Sequence, residues 1–202
     1  AGQRLDAPAA ERHRDGGFPF SPLAQVRIRD PETDELLPND RPGLLELRAP
    51  SVMAGYFENE AATRETITPD GWLRTGDLCC TLEDGSFRYI ARAGDALRLS
   101  GFLTSPAEIE AYLEKHPSVG AVQVVGAQSA AKACCVAFIQ PREGMENDEA
   151  ELREFCREGL ARYKIPERFI ALDEFPVTRS GNGTKIQRAA LRRMAQEALD
   201  RG

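Results

Sequence analysis

Arg92-Ala93-Gly94-Asp95-Ala96-Leu97-Arg98-Leu99-Ser100-Gly101-Phe102 separates two kinds of sequence in this chain. Upstream of it the text is short strands and turns. Gln25-Val26-Arg27-Ile28-Arg29 alternates apolar and polar residues, as a half-buried strand does, and Leu44-Leu45-Glu46-Leu47-Arg48 is a second strand stopped by Pro50. Asn59 is placed to cap a short helix running to Ile67, and Pro69-Asp70-Gly71 is a turn. Thr81 to Ile90 reads as a hairpin, because Asp84-Gly85 tolerates the positive φ values of tight turns. The first twenty residues are polar and turn-rich and read as a surface or linker segment, and Pro31 to Gly43 as a long turn region. Downstream, helices enter. Ser105-Pro106-Ala107-Glu108 has the spacing of a capping box with Pro at the first helical position, opening a helix with Ile109, Tyr112 and Leu113 on one face. Strands at Val119–Val125 and Ala133–Ile139 follow, then a helix from about Glu149 to Leu160, a short strand at Phe169–Leu172 and a terminal helix from Arg188 to Leu199. The expected fold class is α+β: a β-rich subdomain over about residues 18–91, then a small α+β domain over about 95–202 whose short sheet is flanked by helices.

Composition narrows the function classes. The chain has 202 residues, of which 42% are hydrophobic and 29% charged, so it can bury a core and fold as an ordinary globular protein. Its 26 Lys and Arg against 32 Asp and Glu leave a net charge of −6, which argues against a general nucleic-acid or membrane-surface binder. No apolar run approaches the ~20 residues of a membrane span, and no charged-then-apolar leader is read. Five cysteines, including the adjacent pairs Cys79-Cys80 and Cys134-Cys135, show neither a CxxC nor a zinc spacing, so a reduced, cytoplasmic compartment is expected. With only His13 and His116, no histidine-rich metal site is expected either. The chain opens on Ala1, not Met, so it is expected to be a processed protein or a piece of a longer one.

Four clusters are more specific than composition. In Gly71-Trp72-Leu73-Arg74-Thr75-Gly76-Asp77, an aspartate at a strand end can accept hydrogen bonds from two vicinal hydroxyls, although Gly-Asp after a strand is more often a plain turn. Arg92-Ala93-Gly94-Asp95 is either a solvated loop or a hinge, since glycine accepts large φ/ψ changes. Leu99-Ser100-Gly101-Phe102 runs into the capping box, which helix formation alone explains. Thr178-Arg179-Ser180-Gly181-Asn182-Gly183-Thr184-Lys185 is a polar, glycine-rich loop that can cradle an anion through its amides, as well as an ordinary surface loop.

Taken together and in this order, these pieces resemble the C-terminal part of the adenylate-forming (AMP-binding) synthetase superfamily of acyl-CoA ligases, nonribosomal adenylation domains and luciferases. The resemblance runs from about Phe18 to the terminal helix. It is carried by Gly43–Arg48, Met53-Ala54-Gly55-Tyr56-Phe57-Glu58-Asn59, Gly71–Asp77, Arg92–Glu110, Ala161-Arg162-Tyr163-Lys164-Ile165-Pro166 and Thr178–Arg188. The ending Asn182-Gly183-Thr184-Lys185-Ile186-Gln187-Arg188 looks most like acyl-CoA ligases.

The resemblance implies residues 1–91 as the end of a large N-terminal domain, its β-barrel subdomain. Residues 92–95 are then a hinge and 96–202 a mobile C-terminal lid domain. It implies a ligase that activates a carboxylic acid, fatty or another acyl acid, with ATP and transfers it from acyl-AMP to CoA. Mg2+ is expected with ATP, its ligands lying outside this chain, and no metal ligand is assigned here. By the same resemblance Asp77 holds the AMP ribose hydroxyls and Arg92 adds a ribose-side contact. Lys185 is the catalytic cation of adenylation, Gly94 and Asp95 form the hinge, and Ser100 and Gly101 lie along the CoA pantetheine. Two departures stand out: Gly94 occupies a hinge position that is usually Asp or Lys, and Asn182-Gly183-Thr184 intervenes between Gly181 and Lys185. The family's phosphate loop, adenine segment and acyl pocket are not among these residues. The chain alone is therefore expected to be inactive without an N-terminal lobe. The competing expectations are a stand-alone, non-catalytic module that binds a nucleotide or partner, and a ligase lobe acting on the phosphopantetheine of a carrier protein.

Overall fold

The computed structural model describes residues 2–3, 6–12, 16–129, 132–180 and 183–201. The chain divides into two compact units, Ala1–Gly94 and Asp95–Gly202. The first holds the short helix α1 (Ala9–Arg12), strands β1 (Gln25–Arg29) and β2 (Gly43–Arg48), helix α2 (Glu60–Thr66), and strands β3 (Leu73–Thr81) and β4 (Phe87–Arg92). The four strands form an antiparallel sheet in the order β1-β2-β3-β4. The alternation in β1 works as its pattern demands. Ile28 enters a core with Leu45 and Cys79, against which Val26, Leu37 and Phe87 pack. Arg27 and Arg29, on the other face, converge on Glu46, whose side chain is only 2% exposed, at 2.5 Å and 3.1 Å. Trp72 lies under the guanidinium groups of Arg27 and Arg48, 4.2 Å and 4.7 Å from its ring centre. A buried carboxylate is tolerable because two cations and their hydrogen bonds replace its water. Asn59 caps α2 as its sequence predicts, its side-chain oxygen accepting the amide of Ala62 at 3.0 Å.

The second unit contains β5 (Leu97–Leu99), β6 (Phe102–Thr104), α3 (Pro106–Leu113), β7 (Val119–Ser129), β8 (Lys132–Pro141), α4 (Glu149–Gly159), β9 (Arg168–Ala171), β10 (Val177–Ser180), β11 (Gly183–Ile186) and α5 (Arg188–Asp200). β7 runs antiparallel to β8, and β9 parallel to it, in a three-stranded sheet. One face of this sheet packs Val122, Val124, Cys135, Ala137 and Ile139 against Ile109 and Leu113 of α3 and Leu152 and Cys156 of α4. The other packs Val125, Val136 and Phe138 against Leu191 and Ala195 of α5. Cover on both faces is why Cys134 to Ile139 is an unbroken buried run with no polar alternation. α3 and α4 approach so closely that a Cβ on Gly159 would sit 2.3 Å from the ring of Tyr112, whose hydroxyl donates to the Phe155 carbonyl.

The capping box read at Ser105 does not form. Ser105 is the N-cap of α3, yet its side chain makes no capping hydrogen bond, and the turn is closed by the Glu108 amide on the Ser105 carbonyl at 3.2 Å. The Glu108 carboxylate instead takes Lys164 Nζ at 2.5 Å. A cation held in place by its own packing offers the carboxylate more than a single backbone amide does. In the glycine-rich stretch from Thr178 to Lys185, Thr178–Ser180 pair with Gly183–Lys185 in the antiparallel ladder β10–β11, while Gly181 and Asn182, on which the anion-cradling expectation rests, lie outside the described residues.

Candidate functional site

Asp77 owes its placement to an irregularity in β3. Leu44 of β2 pairs with Leu78 and Glu46 with Arg74, so Leu45 alone faces Thr75, Gly76 and Asp77. Thr75 bridges the gap, donating its hydroxyl to the Leu45 carbonyl at 2.9 Å and accepting the Asp77 amide at 3.1 Å. Gly76 has φ 73°, the left-handed region where a side chain would be strained. Such a bulge bends the strand and re-aims one side chain. Here it projects the Asp77 carboxylate beside Arg92, its register partner on β4.

Arg92 NH1 lies 3.0 Å from Asp77 Oδ1, an ion pair without hydrogen-bond alignment, because the same nitrogen donates to the Thr75 carbonyl at 3.1 Å. Oδ1 is buried and accepts no hydrogen bond among the described residues. Asp77 is 22% exposed and Arg92 62%. The result is a fixed carboxylate with one oxygen buried against Arg92 and its exposed part open to solvent, beside a guanidinium that reaches solvent. That set can accept from a pair of vicinal hydroxyls while the cation faces an anion. The negative charge is felt nearby, since the Cys79 thiol is pushed up to about 12, first by burial and then by Asp77.

In the second unit the predicted residues fall on two separate hairpins. Ser100 and Gly101 are the two-residue turn between β5 and β6, with φ 52° and 84°. Gly101 has open space where a Cβ would stand, so a ligand can approach its backbone. Phe102, beside the turn, stacks on Tyr163 at 4.9 Å. Lys185 is exposed on β11 opposite Thr178, and no ion-pair partner for it is found among the described residues. Gly94, the last residue of the first unit, likewise has nothing within 4 Å of a hypothetical Cβ.

Asp95 is no free hinge charge. Its Oδ1 accepts a hydrogen bond from Arg192 and stands 3.7 Å from Arg188 Nε. Arg188 also donates to Glu110 Oε1 at 3.0 Å and to the Val124 carbonyl at 2.8 Å, and the same Glu110 oxygen accepts the Val124 amide at 2.8 Å. Thr75, Glu110 and Arg188 lie inside stretches that the sequence displays but carry no local mark of these roles, and Arg192 lies outside them; each has a partner distant in the chain.

Known proteins resemble this chain over most of its length. Residues 108–182 match the AMP-binding enzyme C-terminal domain. The chain is 37% identical over 194 residues to 4-coumarate–CoA ligase-like 4 of Oryza sativa subsp. japonica, covering 96% of this chain and 34% of that protein. It is 35% identical over 184 residues to the long-chain-fatty-acid–CoA ligase of Escherichia coli O157:H7, covering 91% and 32%. Among solved structures, ATP-bound MatB from Rhodopseudomonas palustris superposes with a TM-score of 0.80 at 29% identity, over 96% of this chain and 38% of that one. The anthranilate CoA ligase AuaEII in complex with anthranoyl-AMP gives 0.76 at 29%, over 91% and 35%. The chain thus spans about a third of the length of the curated relatives it matches. By its domain match and by these relatives, this chain belongs to the adenylate-forming, AMP-binding enzymes, and it is their C-terminal portion.

Proposed function

We propose that these residues form the ribose-side wall and the mobile lid of an AMP-forming acid–thiol ligase. In the first half-reaction a carboxylate oxygen attacks the α-phosphorus of ATP and pyrophosphate leaves, giving acyl-AMP. In the second, the CoA thiol attacks the acyl carbonyl, its proton is lost and AMP leaves. Asp77 accepts the two ribose hydroxyls, and Arg92 supplies a cation on the same side. Lys185 reaches the acyl carboxylate and α-phosphate during adenylation, where a flexible point charge can follow the negative charge that builds on phosphorus. Residues 92–95 are the hinge, and the Ser100-Gly101 turn borders the pantetheine arm in the second step. The observation that carries this reading is the Asp77 carboxylate, placed by a strand bulge and partly exposed, next to Arg92.

The four-stranded sheet of the first unit is, on this reading, part of a β-barrel subdomain that closes a larger N-terminal lobe. That lobe holds the triphosphate and the acyl pocket, so the acid, fatty or otherwise, is chosen outside this chain. Mg2+ accompanies ATP there. The described residues contain no group of three or more His, Cys, Asp or Glu able to hold a metal. No helix of the described residues is long and apolar enough to cross a membrane. Five free, buried cysteines support a reducing, cytoplasmic compartment. The isolated chain does not turn over, because acid and nucleotide must be held in contact for the reaction.

Lys185→Ala in the full-length enzyme tests the assignment through ATP–pyrophosphate exchange. A fall of about a hundredfold or more is expected with folding intact. Adenylation and thioester formation that both survive the change overturn the role assigned to Lys185. Acyl transfer to a carrier-protein phosphopantetheine but not to free CoA would replace only the acceptor.

A further inference from the structure

We infer that Arg188 and Arg192 are positioning residues that clamp Asp95 to the start of α5 and thereby hold Lys185 in a fixed relation to the hinge. The inference rests on the ligase reading for its catalytic meaning and on geometry alone for the clamp.

Lys185 stands on β11, which with β10 makes a two-stranded ladder separate from the three-stranded sheet. A ladder of two strands is marginal by itself. Its ties at the base are local: the Gln187 amide donates to the Pro176 carbonyl at 2.8 Å, and the Gln187 side-chain amide to the Val177 carbonyl at 3.2 Å and to Thr178 Oγ1 at 3.0 Å. These fix the hairpin to itself; its tie to the rest of the unit is apolar, through Ile186 packed against the core beneath α5. Three residues after Lys185 comes Arg188, and there the situation changes.

The Arg188 guanidinium is spread over three elements: Glu110 on α3, Val124 and Gln123 on β7, and Asp95 beside the unit boundary. Arg188 Nε is buried and makes no hydrogen bond among the described residues, so its cost is met by the Asp95 charge 3.7 Å away. Arg192, one helical turn on, hydrogen-bonds the same Asp95 oxygen. Asp95 supplies the first side chain after Gly94, which has none. The first charged side chain past the boundary is therefore fastened to the helix that begins where the strand of Lys185 ends. Rotation at Gly94 is transmitted to Lys185 without slack only while this clamp is closed, and a catalytic cation tolerates little slack.

The test pairs charge-removing with conservative variants: Asp95→Asn against Asp95→Glu, and Arg192→Gln against Arg192→Lys. Two readouts are used. The first, in the full-length enzyme, compares ATP–pyrophosphate exchange with acyl-CoA formation from a supplied synthetic acyl-adenylate, using 4-coumarate, octanoate and malonate as probe acids. The second, in this chain, is hydrogen–deuterium exchange over Gly183–Ile186. Asp95→Asn and Arg192→Gln are expected to lower pyrophosphate exchange about tenfold, at least fivefold more than the thioester step, and to speed β11 amide exchange. The conservative variants are expected to recover most of both. Equal loss in the two half-reactions, or β11 exchange unchanged in the charge-removing variants, overturns the inference. A wild type silent in pyrophosphate exchange with every probe acid counts against the ligase reading alone, and β11 exchange then decides for or against the clamp.

Discussion

At Asp77 the chemistry depends on a carboxylate whose position is set by backbone, not by its own hydrogen bonds. Thr75 and the Gly76 turn hold it, and Arg92 balances its charge without an aligned hydrogen bond. Its solvent-exposed part is what a ribose edge would use. Removing it with Asp77→Ala is expected to cost about 1.5–3 kcal/mol for each hydroxyl contact, which is at least about tenfold in AMP affinity of the full-length enzyme. Calorimetric titration with AMP checks this, and an unchanged dissociation constant sinks the assignment. The thiols give a second expectation at this scale. All five cysteines are free and buried. Burial above all raises Cys79 and Cys135 to about 12 and Cys156 to about 11. The thiolate is the reactive form, so iodoacetamide at pH 8 is expected to leave the folded chain unmodified and to label all five once denaturant is added. Because the folded values lie above the ordinary thiol value, the unfolded chain ionises first. The stability these thiols contribute is complete below about 9 and is lost as pH rises toward 11 to 12. The melting temperature should fall between pH 8 and pH 10.5, and less so in Cys135→Ala relative to its own value at pH 8. Rapid native labelling would contradict the burial argument.

At the level of elements, α3 and α4 are an internal comparison of helix starts. Asp148 caps α4 with two bonds, from the amides of Ala150 and Glu151, whereas Ser105 contributes none to α3. Asp148→Ala is therefore expected to destabilise the chain by about 1 kcal/mol, and Ser105→Ala by only a few tenths. Denaturant unfolding separates the two, and equal losses would restore the capping box. The sequence displays a box pattern at Ser105 that the structure does not use. A box pattern is a local rule, and the competitor for Glu108 is Lys164, 56 residues further on. Periodicity served well where burial is continuous. The apolar stripe of α4 and the run Cys134–Ile139 were both legible, because a covered face imposes its period on the residues beneath it. The hairpins β5–β6 and β10–β11 were not. Their strands have three or four residues each, and the first turns on Ser100 at φ 52° in place of the usual Asn or Gly.

For the whole molecule, what was legible was an order of motifs, and what was not was the set of side chains that join them. Asp77, Arg92 and Lys185 each sit in a motif that the sequence displays. The Asp95–Arg192 pair joins residues 97 apart and has no local mark. The boundary between Gly94 and Asp95 offers the sharpest test at this scale. If one domain serves two half-reactions by rotating, the backbone at Gly94 must visit two conformations, and a substitution that removes one must divide the reactions unequally. Proline fixes φ near −65° and also pushes Ala93 toward extended backbone. Alanine adds only a methyl, with nothing within 4 Å to obstruct it. In the full-length enzyme Gly94→Pro is expected to depress one half-reaction at least about tenfold more than the other. Gly94→Ala is expected to show no such selectivity, because it narrows the accessible φ/ψ space without locking it. Pyrophosphate exchange reads the first step, and acyl-CoA formation from supplied acyl-adenylate reads the second. Selective loss in the proline variant alone places the pivot at Gly94. Equal loss of both steps means that the residue serves folding, and that any rotation between the two steps turns on another bond.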